Sequence, residues 1–494
     1  MWKSILTVGM ALTLGGCLDT PEPGAEAARW QNLPAPGTGS SPDMDTELRA
    51  LISAFNLSGD PVREIQPPAI TTPKAQLGMK LFFSRALGGD LDVACASCHH
   101  PLLGGGDELS LSIGVGAKNL EILGHGRKTA NREPPQVPRN APTTFNIALW
   151  RQHIFHDGRI AALPEGTITT PDVPWPQPDP DAGRNLVQAQ ARFPLTSSLE
   201  MRGENFDQNG NNQSCRQQIA ERLGGYGSQQ GVLPATESAY WLEQFRSAWN
   251  TPDGLPNTLI TEQNISEAIS EYERSQIFVA NPWSAYVQGD NDAISEQAKK
   301  GALLFYRPAG NGGYGCVNCH SGDFFTNEQF YHTLMPPVGP GKQAGDLPDD
   351  GLDRGRELVT GQSADRFRFR TPSLLNVEVT GPWGHNGAYT TLAGVIRHMM
   401  DPFLNGLNYD RKQVLQQNIQ SDDLQERMRY ILACDVQLPG QDYTGEDVQH
   451  MLAFLLSLTD PCVKDKACMA PWIPADDGGS GLHLQARGPD GRPL

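Results

Sequence analysis

Two short cysteine–histidine motifs carry the strongest chemical signal in this sequence. They read Cys95-Ala-Ser-Cys98-His99 and Cys316-Val-Asn-Cys319-His320. In a Cys-x-x-Cys-His pentad the two thiols can form thioethers to a haem, and the histidine can ligate the haem iron. A zinc site would need a second pair of ligands nearby, and a thioredoxin-like dithiol would not need the histidine. The two pentads therefore predict two covalently bound haem c groups.

The beginning of the chain predicts export. Lys3 precedes an apolar run over residues 5–14, which is too short to span a bilayer and is typical of a signal peptide. The following Leu14-Gly15-Gly16-Cys17 is typical of a bacterial lipobox, in which the cysteine is lipidated and becomes the mature N-terminus. An ordinary signal peptide with an incidental Cys17 is the alternative. We expect a periplasmic protein that touches a bacterial membrane only through a lipid anchor.

Composition narrows the class of protein further. The formal net charge of the 494-residue chain is −17, which argues against nucleic-acid binding because that function needs a basic surface. The cysteines outside the pentads and the lipobox are even in number, which fits an oxidising compartment. They predict one or two disulfides, of which Cys462–Cys468 closes the easiest loop, and the other two are Cys215 and Cys434.

A diverged internal repeat organises the elements around the pentads. Apolar residues recur at helical spacing over 75–83 and 298–306, shortly before each pentad. A second shared block follows each pentad, over residues 139–158 in the first half and 370–387 in the second. Because strand signals are few, the pattern predicts a mainly α fold of two tandem c-type cytochrome domains with extensive loops.

The repeat also sets the expected domain boundaries. We expect a signal peptide (1–16), an N-terminal linker and lead-in segment (17–66), an N-terminal haem domain (67–285), a C-terminal haem domain (286–470) and a flexible tail (471–494). The tail is assigned on its Gly, Pro and Asp content, which is typical of a loop.

The two halves differ in what can approach the haem from the far side. In the second half, residues 391–400 predict a short helix that carries His398, Met399 and Met400. The corresponding stretch after His156 has no methionine and runs into a Pro-rich segment. A thioether opposite the histidine raises the potential of a haem and suits electron transfer. Either methionine or His398 could be that ligand, and methionines also commonly pack in cores.

The ordered motifs of the chain resemble those of the bacterial di-haem cytochrome c peroxidase superfamily, which includes MauG-type enzymes. The resemblance covers residues 77–461. Besides the two pentads, it rests on the runs Gly78–Phe83, Ser112–Gly116, Arg139–Thr143, Phe155–Arg159 and Phe369–Asn376.

This resemblance implies a role for each half. His99 would be the proximal ligand of a peroxide-reacting haem, and His320 that of an electron-transfer haem whose distal ligand is Met399. Gln190 and Glu200 match the peroxide pocket of the family, in which the glutamate serves as acid and base. The resemblance also implies a calcium ion between the halves, bound by the side chain of Asn140 and the backbone carbonyls of Thr380 and Pro382.

Two departures from the family pattern concern the peroxide-reacting half. Members that need reductive activation carry a distal histidine in a Gly-His-Gly loop; here Val115 stands in that place, which favours an open haem. His125, in Gly124-His125-Gly126, is the alternative ligand. The inter-haem tryptophan of the family is replaced by His156, so Trp150 or Trp383 could relay electrons instead.

The function that the resemblance implies is reduction of hydrogen peroxide to water by an oxidoreductase of the cytochrome c peroxidase type. Electrons would come from a small periplasmic cytochrome c or copper protein and enter at the C-terminal haem, and peroxide would react at the N-terminal haem. The first alternative is a MauG-like enzyme that oxidises Trp or Tyr of a partner protein. The second is a non-catalytic di-haem electron carrier, which would not need Gln190 and Glu200.

Overall fold

The computed structural model describes residues 43–131, 134–208, 210–342, 350–419, 422–434, 436–475 and 481–494. The predicted signal peptide and Cys17 lie outside the described residues. The described chain is mainly helical, as predicted, while its division into two cytochrome domains stays a prediction. The helices are α1 (Met44–Ala54), α2 (Pro73–Phe82), α3 (Leu186–Ala191), α4 (Asn212–Gly224), α5 (Ala235–Trp249), α6 (Pro256–Leu259), α7 (Glu262–Arg274), α8 (Pro282–Val287), α9 (Glu296–Tyr306), α10 (Glu357–Thr360), α11 (Leu392–Met400), α12 (Pro402–Leu407), α13 (Leu424–Leu432), α14 (Gly445–Leu456) and α15 (Lys466–Met469).

The internal repeat is visible as two equivalent helix pairs. In the first half α2 packs on α7, and a Cβ at Gly78 would lie 1.9 Å from the carbonyl oxygen of Ala268. In the second half α9 packs on α14, and a Cβ at Gly301 would lie 2.0 Å from the carbonyl oxygen of His450. Only a residue without a side chain allows the backbones to approach so closely. Each pair belongs to a separate hydrophobic core, and each first helix ends shortly before a pentad.

The strands are short and lie where the two halves meet. An antiparallel sheet has the order β1 (His153–Ile154), β2 (Ile160–Ala162) and β3 (Ile168–Thr169), with His153 opposite Ala161. A second antiparallel pair joins β4 (Phe330–Tyr331) to β5 (Phe369–Arg370). The β1–β2 hairpin contains the Phe155–Arg159 run, so the hairpin determines the position of this part of the repeat.

Residues 481–494 are packed against a hydrophobic core, whereas a flexible tail was expected over residues 471–494. The backbone of Leu484 donates to the carbonyl of Phe83, and Arg85 donates to the carbonyl of Leu482. Leu484 is buried in the core around α2 and α7, and Leu494 packs against the same core. The expectation rested on Gly, Pro and Asp content, whereas two leucines and strand-like pairing determine the packing of residues 481–494.

Two further expectations can be compared with the structure. Cys462 and Cys468 form a disulfide with a Cα–Cα distance of 5.3 Å, as predicted. None of the helices in the described ranges combines the length and the apolar character needed to cross a bilayer.

Candidate haem cavities and active site

A cavity of about 150 Å³, here called the N cavity, lies beside the first pentad. Cys95, Cys98 and His99 line it. His99 Nδ1 donates to the carbonyl of Gly105 at 3.2 Å, and burial lowers the pKa of His99, so its ring is neutral. A hydrogen bond at Nδ1 leaves Nε2 as the free ligand nitrogen and fixes the ring orientation.

A larger cavity of about 320 Å³, here called the C cavity, lies beside the second pentad. Cys316, Cys319 and His320 line it. His320 Nδ1 lies 3.1 Å from the carbonyl oxygens of both Phe325 and Pro372, and burial lowers the pKa of His320 to about 4. The second histidine is therefore held in the same tautomer and by the same kind of contact as the first.

Both pentads fit covalent haem better than a thiolate metal site. Burial raises the pKa of the Cys98 and Cys316 thiols to about 12, so neither is a thiolate at neutral pH. Among the described residues, no group of three or more His, Cys, Asp or Glu side chains is placed to hold a metal ion. Each cavity offers a pair of cysteines and one neutral, oriented imidazole, which are what thioether attachment and iron ligation need.

The polar groups predicted for peroxide chemistry lie on the wall of the N cavity. Gln190 is on α3, whose N-cap Asn185 accepts from two backbone amides, and Glu200 follows a tight turn. Within the described part of the chain, Gln190 Oε1 is buried without a hydrogen-bond partner. Burial raises the pKa of Glu200, an effect that Arg159, Lys342 and Arg139 oppose in that order. The cavity thus offers an unused acceptor and a titratable acid.

The cations of an ionic cluster lie on the wall of the N cavity. Asp157 is fully buried and accepts from Arg139 at 2.5 Å, Lys342 at 3.0 Å and Arg159 at 3.2 Å. Arg139 also pairs with Asp353 of the second half at 2.6 Å. The three cations hold the pKa of Asp157 well below its usual value. Arg139, Arg159 and Lys342 all line the cavity. Together with the two aspartates they leave one net positive charge, which suits an anionic edge of a bound cofactor.

Comparison with known proteins agrees with this geometry. The family model for di-haem cytochrome c peroxidase matches residues 72–292. The methylamine utilization protein MauG of Methylorubrum extorquens is 28% identical over 329 residues, which are 67% of this chain and 69% of that protein. Cytochrome c551 peroxidase of Pseudomonas aeruginosa is 27% identical over 340 residues, which are 68% of this chain and 75% of that protein. Residues 72–292 thus match the di-haem cytochrome c peroxidase family, and about two thirds of the chain is similar to MauG and to cytochrome c551 peroxidase.

A solved structure shows the same fold. The crystal structure of the diheme peroxidase BthA from Burkholderia thailandensis matches with a TM-score of 0.51 at 18% identity, over 85% of this chain and 92% of that chain. Similarity to this family implies haem c as the cofactor and supports peroxidase activity.

The three candidate distal ligands of the C cavity have different surroundings. Met399 and Met400 both line the cavity, but Met400 is 3% exposed and packs in the core around α9 and α14. His398 uses both ring nitrogens: Nε2 donates to the carbonyl of Thr333 and Nδ1 accepts from Tyr389, each at 2.8 Å. His398 is therefore not free to ligate, while Met399 and Met400 both line the cavity, and Met399 stays the predicted distal ligand.

The histidine alternative in the N cavity is placed away from it. His125 is 46% exposed at its side chain and lies 3.6 Å from Glu108 on the surface. Val115 packs against the core around α2 and α7. Among the described residues the histidines that line the N cavity are His99 and His156. This placement gives no support to His125 as a ligand of the peroxide-reacting haem.

The region between the two cavities contains His156 rather than the family tryptophan. His156 lines both cavities, its Nε2 lies 3.1 Å from the carbonyl of Asn140, and burial lowers its pKa to about 4. Trp150 lines the C cavity with the Arg370 guanidinium 3.3 Å from its ring centre. Trp383 lines the same cavity and donates from its indole nitrogen to Val377. The structure thus places all three candidate relay groups at the C cavity.

The residues predicted to bind calcium lie together on the C cavity wall. Asn140, Thr380 and Pro382 line that cavity. Asn140 also joins the two halves, because its backbone amide donates to the carbonyl of His385 at 2.9 Å. Its side-chain amide donates to the carbonyl of Leu109 at 2.8 Å. These contacts show a linking role for Asn140, and the calcium itself stays a prediction.

Sequence reasoning missed three residues of the two cavities. Lys342 and Glu273 line the N cavity, and Met335 lines the C cavity. Burial raises the pKa of Glu273 to about 8, so this acid is neutral at physiological pH. Glu273 lies four residues after Ile269 on the cavity face of α7, a spacing that could have drawn attention to it. Lys342 and Met335 lie in a loop, where the sequence contains no comparable signal.

Proposed function

We propose that this protein is a di-haem c-type peroxidase that reduces hydrogen peroxide to water with electrons from a small periplasmic redox protein, either a cytochrome c or a copper protein. The observation that carries this proposal is the position of Gln190 and Glu200 on the wall of the cavity that His99 enters. Residues 67–285 would form the peroxidatic domain and residues 286–470 the electron-transfer domain.

The side chains of the N cavity can handle the protons of this reaction. The bound haem would supply the iron that takes part in O–O cleavage and the electrons that it needs. Gln190 Oε1 can accept a hydrogen bond from the peroxide and so orient it. As a carboxylate, Glu200 can take a proton from one peroxide oxygen and return it to the other. Its raised pKa brings its proton affinity closer to neutral pH, where both transfers are possible.

The C cavity suits electron entry. Met399 would be the distal ligand, and a His/Met pair raises the potential of a haem. The cavity walls hold mostly apolar and aromatic side chains, among them Trp150, Phe324 and Trp383. Calcium bound through Asn140, Thr380 and Pro382 would hold the two halves together at this wall. The lipid anchor at Cys17 would keep the protein in the periplasm next to the membrane, where such donors occur.

The test is steady-state peroxide consumption by the purified holoprotein with a reduced cytochrome c as donor. We expect rapid turnover in the fully oxidised protein without prior half-reduction, because neither Val115 nor His125 lines the N cavity. Absence of turnover with every small cytochrome and copper donor would contradict the peroxidase proposal.

The second candidate is a MauG-like enzyme that oxidises Trp or Tyr on a partner protein. It is favoured by the similarity to MauG of M. extorquens, which is as close as that to the P. aeruginosa peroxidase. In that case peroxide would produce a long-lived oxidised spectrum in the absence of small donors, and mass spectrometry would find oxidised Trp or Tyr in a co-purified partner. The presence of Gln190 and Glu200 in the N cavity argues against a non-catalytic carrier.

A further inference from the structure

One residue of the C-terminal half takes part in the N cavity. In the described part of the chain, the residues that line this cavity lie between 82 and 273, with Lys342 as the single exception. Lys342 Nζ lies 3.0 Å from Asp157 Oδ2, and the side chain is 26% exposed. A cation from the second half therefore reaches the wall on which Glu200 lies.

The loop that carries Lys342 is held by other elements of the C-terminal half. The Asn386 side chain donates to the carbonyl of Pro336 at 2.8 Å. The backbone amide of Gly339 donates to the carbonyl of Ile419 at 3.0 Å, and Arg427 of α13 donates to the carbonyl of Gly339 at 3.2 Å. Three separate segments of the second half thus fix residues 336–339. The position of Lys342, three residues further on, depends on them.

The protein side chains around Lys342 carry one positive charge in excess, before any anionic edge of a bound cofactor is counted. Arg139, Arg159 and Lys342 face Asp157 and Asp353, which leaves one cation in excess. Burial, Arg139 and Arg159 lower the pKa of Lys342 to about 8, and the two aspartates oppose this shift. Lys342 is therefore charged at pH 7. The Cys98 thiol also interacts electrostatically with Glu200, and haem attachment would convert this thiol to an uncharged thioether.

We propose that Lys342 is a positioning residue of the peroxide pocket, through which the C-terminal half controls the protonation of Glu200 in the N-terminal half. The proposal rests on the proposed function in that Glu200 is the acid and base of the pocket. A nearby ammonium favours the carboxylate form of Glu200, which is the form that can accept a proton from peroxide. Docking of the two halves then completes the proton chemistry of one of them.

The direction of the effect follows from the charge. Removal of the ammonium raises the pKa of Glu200, so a higher pH is needed before the carboxylate forms. Below that pKa the fraction of carboxylate falls tenfold for each pH unit. The Lys342→Met variant should therefore lose activity mostly at low pH. Above about pH 8 wild-type Lys342 itself loses its charge, so the two proteins should converge.

The experiment combines two measurements on the holoproteins. Infrared difference titration follows the protonated carboxyl band of Glu200, which is assigned by its loss in Glu200→Gln. The pH profile of kcat/KM for peroxide is measured in parallel. The variants are Lys342→Met and Lys342→Arg, with Lys118→Met as the control, because Lys118 is exposed and lines neither cavity.

We expect the Lys342→Met variant to shift the titration of the Glu200 band and the acid limb of kcat/KM to higher pH, with roughly a three- to tenfold loss of kcat/KM at pH 6. Lys342→Arg should restore both, and Lys118→Met should change neither. An unchanged Glu200 titration in Lys342→Met, with a shifted potential of the N-terminal haem, would mean that Lys342 only pairs with a haem carboxylate, and it would overturn the proposal. The infrared titration needs no turnover, so it tests Lys342 even if the peroxidase proposal fails.

Discussion

The N cavity and the C cavity hold the same attachment motif in different surroundings. In the N cavity the pentad faces an unpartnered amide oxygen at Gln190, two acids with raised pKa values, Glu200 and Glu273, and an ionic cluster. In the C cavity it faces thioethers and aromatic rings, with Met335, Met399 and Met400 all on the wall. We propose that the pentads attach the two haems and that the far walls of the cavities determine how each haem is used.

The difference arises in the segments that the repeat does not share. The helix pairs α2/α7 and α9/α14 are built alike, down to the glycine at which each pair touches. The first half then inserts β3 and α3, which bring Gln190 to its cavity. The second half instead has α11, which brings Met399. Two similar helix pairs therefore stand beside one cavity lined by Gln190 and Glu200 and one cavity lined by methionines.

The largest expected effect comes from removing the acid of the N cavity. Glu200→Gln keeps the shape of the side chain but cannot transfer a proton, so kcat for peroxide reduction should fall about 100- to 10,000-fold. Glu204→Gln is the matched control, because Glu204 is exposed and lines neither cavity. Stopped-flow and steady-state peroxide assays measure the change. If both variants reduced peroxide at the same rate, Glu200 would not be the acid of the N cavity, and the proposed chemical difference between the cavities would be contradicted.

The next effect concerns the C cavity alone. Met399→Ala should lower the potential of the C-terminal haem by a substantial part of the span of about 0.8 V that axial ligands cover, and leave the N-terminal haem unchanged. Met400→Ala is the matched control: it should cost about 2–5 kcal/mol of stability through loss of core packing, without a change in potential. Spectroelectrochemical titration distinguishes the two. A shift in Met400→Ala and none in Met399→Ala would exchange their roles.

The smallest effect tests what the two halves have in common. Gly78→Ala and Gly301→Ala each place a Cβ within 2.0 Å of a backbone oxygen, so the paired helices must move apart. Each variant should lose at least about 2 kcal/mol of unfolding free energy, and the two losses should be similar. Gly445→Ala is the control, because a Cβ there meets nothing within 4 Å. Denaturant unfolding of the holoprotein measures this, and a cost at only one glycine would mean that the halves are not built alike.

The parts of this molecule that sequence could predict are those encoded by local spacing. The pentads, the two helices before them, the α11 helix and the Cys462–Cys468 disulfide each depend on residues close together in the chain. Gln190 and Glu200 could be named only through the family resemblance, because an isolated glutamate in a loop looks like a solvated charge.

What could not be predicted depends on contacts between distant segments. Lys342 lies 142 residues after Glu200 in the sequence, and it reaches the N cavity only because Asn386, Ile419 and Arg427 hold its loop. Residues 481–494 were expected to be loose because their composition is that of a loop. Their order comes from pairing with residues 83–85, which no local pattern indicates.

The central claim is that the two cavities give their haems different tasks, and redox titration tests it most directly. Purified holoprotein should be titrated potentiometrically while the absorption and electron paramagnetic resonance spectra are recorded. We predict one haem of high potential with His/Met ligation, assigned to the C cavity by its loss in Met399→Ala, and one of low potential that binds small exogenous ligands. Two haems of equal potential, or a Met399→Ala variant with an unchanged titration, would contradict the claim.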